Sequence, residues 1–206
     1  GKSYYPSDYS PNAGWADYYG NEDFFKAYPN DDRKEWNYMT EWKIKSGEII
    51  PYTESADKLP AISKYYDYDE GAPGKSAQSN GITCIYRYAE VLLMYAEAST
   101  RATNSVNQDA LNAIQEVQKR AGYQNRQIEL TTTTEPAAFL TAVSNERGWE
   151  FFAEMKRWFE LVRLEKVSEV RAETWNGSLF QSNNHYYFPI PYQQIRLTQW
   201  TNNAGY

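Results

Sequence analysis

The feature that most constrains the fold is an amphipathic run in the middle of the chain. Between Ile82 and Ala98, apolar side chains recur at the i, i+3, i+4, i+7 spacing of one helical face. The pattern predicts a helix that packs this face against a core, and it leaves Arg87, Glu90 and Glu97 off the centre, solvated or paired at the surface. The predicted buried stripe is Ile82, Ile85, Tyr86, Ala89, Leu92, Leu93 and Ala96.

Two further helical stretches follow this run. Asn107 is a suitable N-cap for the second helix, which should end at Gly122. A polar loop of about eight residues between the first two helices favours an antiparallel pair. A third helical region opens at Thr134-Glu135-Pro136, where a capping residue and an early proline agree with a helix start, and we expect a bend at Gly148. The predicted fold class is therefore mainly α.

The remainder of the chain predicts loops and a short hairpin. Alternating apolar residues on either side of Ser46-Gly47 are typical of a β-hairpin. Residues 59–68 predict a short extended segment and residues 70–74 a loop. Residues 172–206 predict loop and extended chain, because Pro189-Ile190-Pro191 is too rich in proline for a helix. The predicted organisation is a loop-rich region with a β-hairpin (1–80), a helical region (81–165) and an extended tail (166–206).

Composition argues against several classes of function. The net charge of −6, with basic residues scattered along the chain, disfavours nucleic-acid binding. One cysteine, Cys84, and one histidine, His185, argue against disulfides, zinc sites and catalytic triads, and we interpret Cys84 as a small buried hydrophobe.

Asp31-Asp32-Arg33 fits a calcium loop or a salt-bridged turn, and the turn is favoured because the spaced acids of an EF-hand are absent. No run approaches the roughly 18 apolar residues of a membrane span, and any export signal would lie upstream.

Acidic residues near the end of the third helix allow two interpretations. Glu146, Glu150 and Glu154 are spaced four apart, and Arg147 and Arg157 can offset their repulsion through i, i+3 pairs with Glu150 and Glu154. A glycosidase would use two such acids as proton donor and base. Its carboxylates must flank a substrate bond about 5 to 9 Å apart and normally come from different elements. A structural salt-bridge ladder is therefore favoured, and no catalytic residue is assigned.

Several motifs occur in an order typical of one family. Arg87 to Ala98 is similar to its Arg-Tyr-Ala-Asp-Val-Leu-Leu run, and the second helix closes on Arg120-Ala121-Gly122. The other matching segments are Asn30-Asp31-Asp32-Arg33, Ser63-Lys64-Tyr65, the positions Glu146-Arg147, Glu150, Glu154, Arg157, Leu161 and Arg163, then Pro189-Ile190-Pro191 and Asn203-Ala204-Gly205-Tyr206. Together they resemble the carboxy-terminal portion of the SusD/RagB family of outer-membrane nutrient-binding lipoproteins. Members of that family are usually longer, so we interpret this chain as a fragment.

The resemblance implies both a fold and a function. The implied fold has tetratricopeptide-like helical hairpins with a loop-rich region and a short β-hairpin. The implied function is non-enzymatic: a lipid-anchored protein of the Gram-negative outer membrane, at the cell surface, captures an oligosaccharide or polysaccharide, in some members a peptide. It passes the ligand to a SusC-like TonB-dependent transporter. The resemblance implies neither a cofactor nor a metal, and the lipid anchor would lie outside this chain.

Ligand contacts in the family are made by aromatic side chains on variable loops, and this chain is rich in them, with 19 tyrosines, 7 tryptophans and 8 phenylalanines. A ring can stack on the C–H face of a sugar while a hydroxyl donates a hydrogen bond. The aromatic residues crowd a polar, turn-rich stretch near the start, and packing into the interior remains an alternative for each of them. The candidate binding residues are Trp15, Tyr18 and Tyr19, with Tyr4, Tyr5 and Asn12 behind them. A protein-binding helical scaffold and, less favoured, a glycoside hydrolase remain the alternatives.

Overall fold

Helices dominate the residues that the computed structural model describes, which are 2–10, 13–65, 84–167 and 186–203. The α-helices are α1 (Glu22–Ala27), α2 (Asp32–Asn37), α3 (Tyr88–Thr103), α4 (Gln108–Arg120), α5 (Pro136–Glu150), α6 (Arg157–Arg163) and α7 (Tyr192–Thr198). The strands are β1 (Tyr38–Met39), β2 (Glu41–Lys43), β3 (Ile49–Pro51) and β4 (Ala61–Ile62), and Lys2–Tyr4 and Tyr52–Glu54 form single 3-10 turns. The mainly α prediction is confirmed.

The apolar core lies between α3, α4 and α5, with α3 in contact with both of the other helices. Its fully buried side chains include Leu93, Ile114, Val117, Phe139 and Val143. Burying each of these large side chains contributes about 1.5–3 kcal/mol. This packing fixes the three helices relative to one another. Several of the charged side chains described below lie at the ends of these helices.

Local sequence signals set the ends of these helices as predicted. The side chain of Asn107 caps α4 by accepting a hydrogen bond from the backbone N–H of Ala110 at 2.8 Å. The carboxylate of Glu135 caps α5, and Pro136 is its first residue. Gly122 follows α4 with a φ of +85°, a conformation that suits glycine because it has no Cβ.

The predicted β-hairpin is confirmed. Strands β2 and β3 pair antiparallel with Trp42 opposite Ile50, and Gly47 takes a φ of +95° in the turn. A second antiparallel pair joins β1 to β4. Strand β4 lies in the segment predicted to be extended, residues 59–68, of which 66–68 lie outside the described residues, as does the predicted loop at 70–74.

The first core helix begins later than the apolar pattern predicted. It starts at Tyr88, after Arg87 in an extended conformation (φ −145°, ψ 162°). Ile85 and Tyr86 are 77% and 72% exposed, and Cys84 is exposed rather than buried. The spacing of apolar residues does not show where the helical backbone begins. The predicted stripe therefore included residues that precede the helix. Ile82 lies outside the described residues.

The third helical region is interrupted close to the bend expected at Gly148. Helix α5 continues through Gly148 and ends at Glu150, and α6 starts only at Arg157. The expectation that the tail consists of loop and extended chain was wrong. The tail contains α7, which starts directly after Pro191, because proline is compatible with a helix start although not with its interior.

The chain divides into two compact units, Gly1–Ala153 and Glu154–Tyr206. The first contains the core and both strand pairs. In the second, the rings of Trp158 and Phe188 lie 6.3 Å apart, and the side chain of Asn202 accepts a hydrogen bond from the backbone N–H of Ile190 at 2.8 Å. Among the described residues, no helix has the length and apolar composition required to cross a bilayer. Residues 168–185, including His185, lie outside the described part.

Candidate functional site

Charged side chains from four helix ends meet at Glu150. Its carboxylate is fully buried, and Oε2 accepts a hydrogen bond from Nη1 of Arg33 at 2.7 Å. Oε1 accepts from Nη2 of Arg120 at 2.5 Å and also from Nη1 of Arg87. These arginines come from α2, from the last residue of α4 and from the residue before α3. Segments that are far apart in the sequence therefore share one buried carboxylate.

Arg33 connects Glu150 to two further carboxylates. Its Nη1 donates to Oε1 of Glu146 at 2.7 Å, and its Nη2 donates to Oδ2 of Asp31 at 2.5 Å. The other oxygen of Glu146 accepts from the hydroxyl of Tyr123 at 3.0 Å and from the amide of Gln118 at 3.2 Å. We call this group the arginine–carboxylate cluster; its members are Asp31, Arg33, Arg87, Arg120, Glu146 and Glu150.

The surroundings of each carboxylate determine its protonation. Burial raises the pKa of Glu150, but Arg87, Arg33 and Arg120 outweigh it, so this pKa lies below its ordinary value. Burial dominates at Glu146 and holds its pKa above the ordinary value despite Arg33. Burial disfavours the charge on Arg33, yet Glu146 and Asp31 hold its pKa above the ordinary value. Glu150 is thus an ionised structural carboxylate and a poor proton donor.

The structural interpretation of the acidic ridge agrees with this geometry, but the predicted partner of Arg147 was wrong. Arg147 was expected to pair with Glu150; instead, its Nη2 lies 3.6 Å from Oε1 of Glu90. Glu90 and Glu97 on α3 were expected to stay solvated or to pair at the surface, and both are buried, with 5% and 9% exposure. Glu97 accepts from Arg101 at 2.8 Å. Charges on the flank of an amphipathic helix can be buried when a neighbouring helix supplies the opposite charge.

The end of α5 is held by side chains from the Ser63-Lys64-Tyr65 segment. The ammonium group of Lys64 donates to the backbone carbonyls of Glu150 and Phe152 at 3.3 and 3.0 Å. The hydroxyl of Tyr65 donates to the carbonyl of Ala153 at 2.9 Å. Glu150 is the last residue of α5, so its carbonyl has no intrahelical donor, and it also accepts from Nη2 of Arg87 at 2.6 Å. Phe152 and Ala153 follow the helix, and their carbonyls find donors in this segment.

Asp31 acts as a helix cap in addition to its ion pair. Its Oδ1 accepts a hydrogen bond from the backbone N–H of Arg33 at 2.9 Å at the start of α2. Its neighbour Asp32 accepts from Nε of Arg126 at 2.7 Å. Both aspartates thus form ion pairs with arginine, which is the arrangement expected for a salt-bridged turn.

Three of the candidate binding residues lie at the surface of the first unit. Trp15 and Tyr18 are 58% and 54% exposed. Tyr4 is half-buried, and its ring centroid lies 5.5 Å from that of Tyr18 with an angle of 32° between the ring planes. We call Tyr4, Trp15 and Tyr18 the ring surface.

Backbone hydrogen bonds bring the two segments of the ring surface together. The N–H groups of Asp17 and Tyr18 donate to the carbonyl of Ser3 at 3.0 and 3.1 Å. Gly14 passes so close to the other segment that a Cβ at this position would lie 1.8 Å from the carbonyl oxygen of Tyr5. A glycine is therefore required where the segments cross.

The other candidates occupy different environments. Tyr5 is only 3% exposed and stacks on Tyr9 at 5.4 Å, so the alternative of interior packing applies to it. Tyr19 is half-buried, and its hydroxyl donates to the carboxylate of Asp57. Burial and that carboxylate raise the pKa of Tyr19, which keeps it protonated. Asn12 lies outside the described residues.

Tyr65 contacts the ring surface and was missed as a candidate. Its ring centroid lies 5.3 Å from that of Tyr4, with 34° between the ring planes. The sequence contained a signal for Tyr65, since it is part of the Lys-Tyr motif, but that motif was interpreted only as a family landmark.

Comparison with known proteins gives consistent matches. A family model described as the SusD family matches residues 2–206. The SusD-like protein P2 of Formosa agariphila is 29% identical over 202 residues, which cover 88% of this chain and 39% of that protein. The chain thus spans about two fifths of the length of this relative.

Solved structures are similar in fold. A SusD superfamily protein from Parabacteroides distasonis aligns with a TM-score of 0.77 and 23% identity, over 100% of this chain and 46% of the other. Surface glycan-binding protein A from Bacteroides uniformis aligns with a TM-score of 0.65 and 25% identity, over 95% of this chain and 43% of the other. The predicted SusD-like fold with tetratricopeptide-like helices is confirmed by these matches.

Proposed function

This chain belongs to the SusD family, and we propose on that basis that it binds glycans at a bacterial cell surface. The proposed protein is a lipid-anchored, non-catalytic component of the outer membrane, with its anchor outside this chain. It captures an oligosaccharide or polysaccharide and passes it to a SusC-like TonB-dependent transporter. The similarity to a surface glycan-binding protein of Bacteroides uniformis, at 25% identity, supports this class of ligand.

The ring surface is the observation that carries the proposal. Trp15 and Tyr18 expose more than half of their area on a polar, turn-rich segment. Large exposed rings that are fixed by backbone contacts can stack on the C–H face of a pyranose with little loss of conformational entropy. The ring of Tyr4 lies 5.5 Å from that of Tyr18, and its hydroxyl can donate or accept a hydrogen bond.

The geometry disfavours a glycosidase that uses Glu150. Both of its oxygens accept hydrogen bonds from arginines, and the side chain is fully buried. A general acid needs a raised pKa and access to the glycosidic oxygen, whereas the arginines hold the pKa of Glu150 below its ordinary value. The proposal therefore assigns Glu150 to architecture and recognition to the ring surface.

Affinity electrophoresis of the full-length protein tests the proposal. The gels would contain starch, laminarin, xylan or galactomannan. We expect at least one polysaccharide to retard the wild type and Trp15→Ala to lose most of that retardation, while the circular dichroism spectrum stays unchanged. The control is Trp36→Ala, because Trp36 is 69% exposed on α2 and no ring contact joins it to Tyr4 or Tyr18 among the described residues.

The outcomes separate the proposed function from its alternatives. Equal retardation of Trp15→Ala and wild type would remove Trp15 from the site. Release of sugar from the retained polysaccharide would favour the hydrolase. A protein that binds none of the polysaccharides but still copurifies with its transporter would favour the protein-binding scaffold.

A further inference from the structure

We infer that Tyr65 is a positioning residue for the ring surface: it holds Tyr4 beneath Tyr18 and fixes both rings relative to the end of α5. The inference deepens the proposed function and rests on it where ligand binding is concerned. Tyr65 itself is half-buried and is not proposed to touch the ligand.

The three rings contact one another in the order Tyr18, Tyr4, Tyr65. Tyr18 contacts Tyr4 at 5.5 Å between centroids, and Tyr4 contacts Tyr65 at 5.3 Å. Both pairs are tilted by a little over 30°, within the distance range of favourable aromatic pairs. Tyr4 therefore lies between an exposed ring and a partly buried one, so its orientation depends on both.

Tyr65 is itself held in place along the backbone that precedes it. The backbone N–H of Ser63 donates to the carbonyl of Asn37 at 2.9 Å, and its hydroxyl donates to the carbonyl of Trp36 at 2.7 Å. Lys64 donates to the carbonyls of Glu150 and Phe152, and the Tyr65 hydroxyl donates to that of Ala153. These three consecutive residues are thus fixed to α2, to the last residue of α5 and to the turn that follows it, which restrains the position of Tyr65.

The ring of Tyr4 has less support of its own. Tyr4 is the last residue of a single 3-10 turn, Lys2–Tyr4. A turn of three residues is closed by few backbone hydrogen bonds. The carbonyl of Ser3 binds the segment that carries Tyr18, which fixes the backbone but not the side-chain torsions of Tyr4. Tyr65 gives the ring of Tyr4 a second ring contact, in addition to the one with Tyr18.

Two variants of Tyr65 in the full-length protein test this role. Tyr65→Leu removes the ring, and we expect it to weaken retention on the polysaccharide that best retards the wild type by about threefold to tenfold, the range that corresponds to one aromatic pair. Tyr65→Phe keeps the ring and loses only the hydroxyl bond to Ala153, while Ser63 and Lys64 still hold the segment, so affinity should stay within about twofold. The matched control is Tyr9→Leu, which removes the ring that stacks on the buried Tyr5 and should leave retention unchanged.

A second measurement needs no glycan. Hydroxyl-radical footprinting reports how accessible each ring is, and we expect oxidation of Tyr4 and Tyr18 to rise in Tyr65→Leu but to match the wild type in Tyr65→Phe. Urea unfolding of each variant monitors global stability separately. Should Tyr65→Leu lose helical content, Tyr65→Phe and Tyr65→Met are compared instead.

The results distinguish failure of this inference from failure of the proposed function. Unchanged oxidation and unchanged retention in Tyr65→Leu, together with lost retention in Trp15→Ala, would overturn the positioning role and leave glycan binding intact. A wild type that binds no polysaccharide would contradict the proposed function, while footprinting would still decide whether Tyr65 positions the rings.

Discussion

Replacing Glu150 with glutamine probes the arginine–carboxylate cluster directly. Glutamine has nearly the same shape and keeps an oxygen that can accept a hydrogen bond, but it carries no charge. The change leaves Arg33, Arg87 and Arg120 with one carboxylate fewer. Its effect therefore measures the buried charge rather than the packing around it.

The structure sets the size of the expected effect. Breaking a buried ion pair by removing one partner costs about 3–5 kcal/mol. Arg120 is 62% exposed and can be hydrated, and Arg33 keeps Asp31 and Glu146 as partners. Arg87, at 26% exposure, is less able to recover hydration. We therefore expect a loss near the lower end of that range, about 3 kcal/mol.

Urea unfolding followed by circular dichroism measures this loss. With a slope of about 2 kcal/mol per molar urea, the midpoint should fall by roughly 1.5 M. The control is Glu116→Gln, an exposed residue on α4, which should change stability by less than about 0.5 kcal/mol. A loss below about 1 kcal/mol for Glu150→Gln would refute the assignment of Glu150 as the centre of the cluster.

The same pair of proteins predicts a pH dependence. Because the pKa of Glu150 is lower in the folded protein than in the unfolded chain, its stabilisation is fully present above the unfolded pKa of about 4.3. That contribution disappears as the pH falls through the lower folded pKa. The stability difference between wild type and Glu150→Gln should therefore be constant near neutral pH and shrink in acid. Glu146, whose pKa is raised, contributes to the pH dependence of stability in the opposite direction. Because both proteins contain Glu146, the difference between their stabilities removes most of this contribution.

Two further predictions concern helix ends. Gly122→Ala should destabilise the chain by about 1–3 kcal/mol, because the residue has a φ of +85° and its Cβ would lie 2.2 Å from Oδ2 of Asp32. Gly47→Ala is the matched control, since its φ is +95° but its Cβ would meet nothing closer than 4.0 Å; equal losses in urea unfolding would contradict the steric argument. Asn107→Ala should cost about 1 kcal/mol through loss of the N-cap of α4. Asn107→Asp should retain the stability of the wild type, and a thermal midpoint unchanged in Asn107→Ala would refute the capping role.

The sequence predicted those parts of the fold that depend on local signals. The cap at Asn107, the turn at Gly47 and the start of α5 at Pro136 each follow from residues a few positions apart. The start of α3 was misjudged because apolar residues continued at helical spacing past the true boundary. Helix α7 was missed because its prolines were interpreted as breakers although they precede it.

Long-range pairing of charges could not be predicted in the same way. Glu150 binds Arg33 across 117 positions of sequence, and nothing in the spacing of either residue identifies the other. The i, i+3 rule assigned Glu150 to Arg147, yet tertiary contacts bring Arg147 to Glu90. A local rule describes isolated helices, whereas the partners of buried charges are decided by helix packing.

The sequence indicates which residue types a binding surface would use, but not which of these residues are exposed. Trp15 and Tyr18 are exposed as a binding role requires, whereas Tyr5, in the same aromatic stretch, is buried. Irregular segments have no periodicity that separates inward from outward side chains. The contact of Tyr65 with Tyr4 joins segments that are 61 positions apart, and only the structure shows it.

Footprinting of the wild type with and without bound polysaccharide locates the recognition surface. Trp15 and Trp36 are both well exposed, at 58% and 69%, so both should be oxidised readily in the free protein. We expect saturating polysaccharide to protect Trp15 and Tyr18 and to leave Trp36 unchanged. Protection of Trp36 with continued oxidation of Trp15 would contradict the claim that recognition takes place on the ring surface.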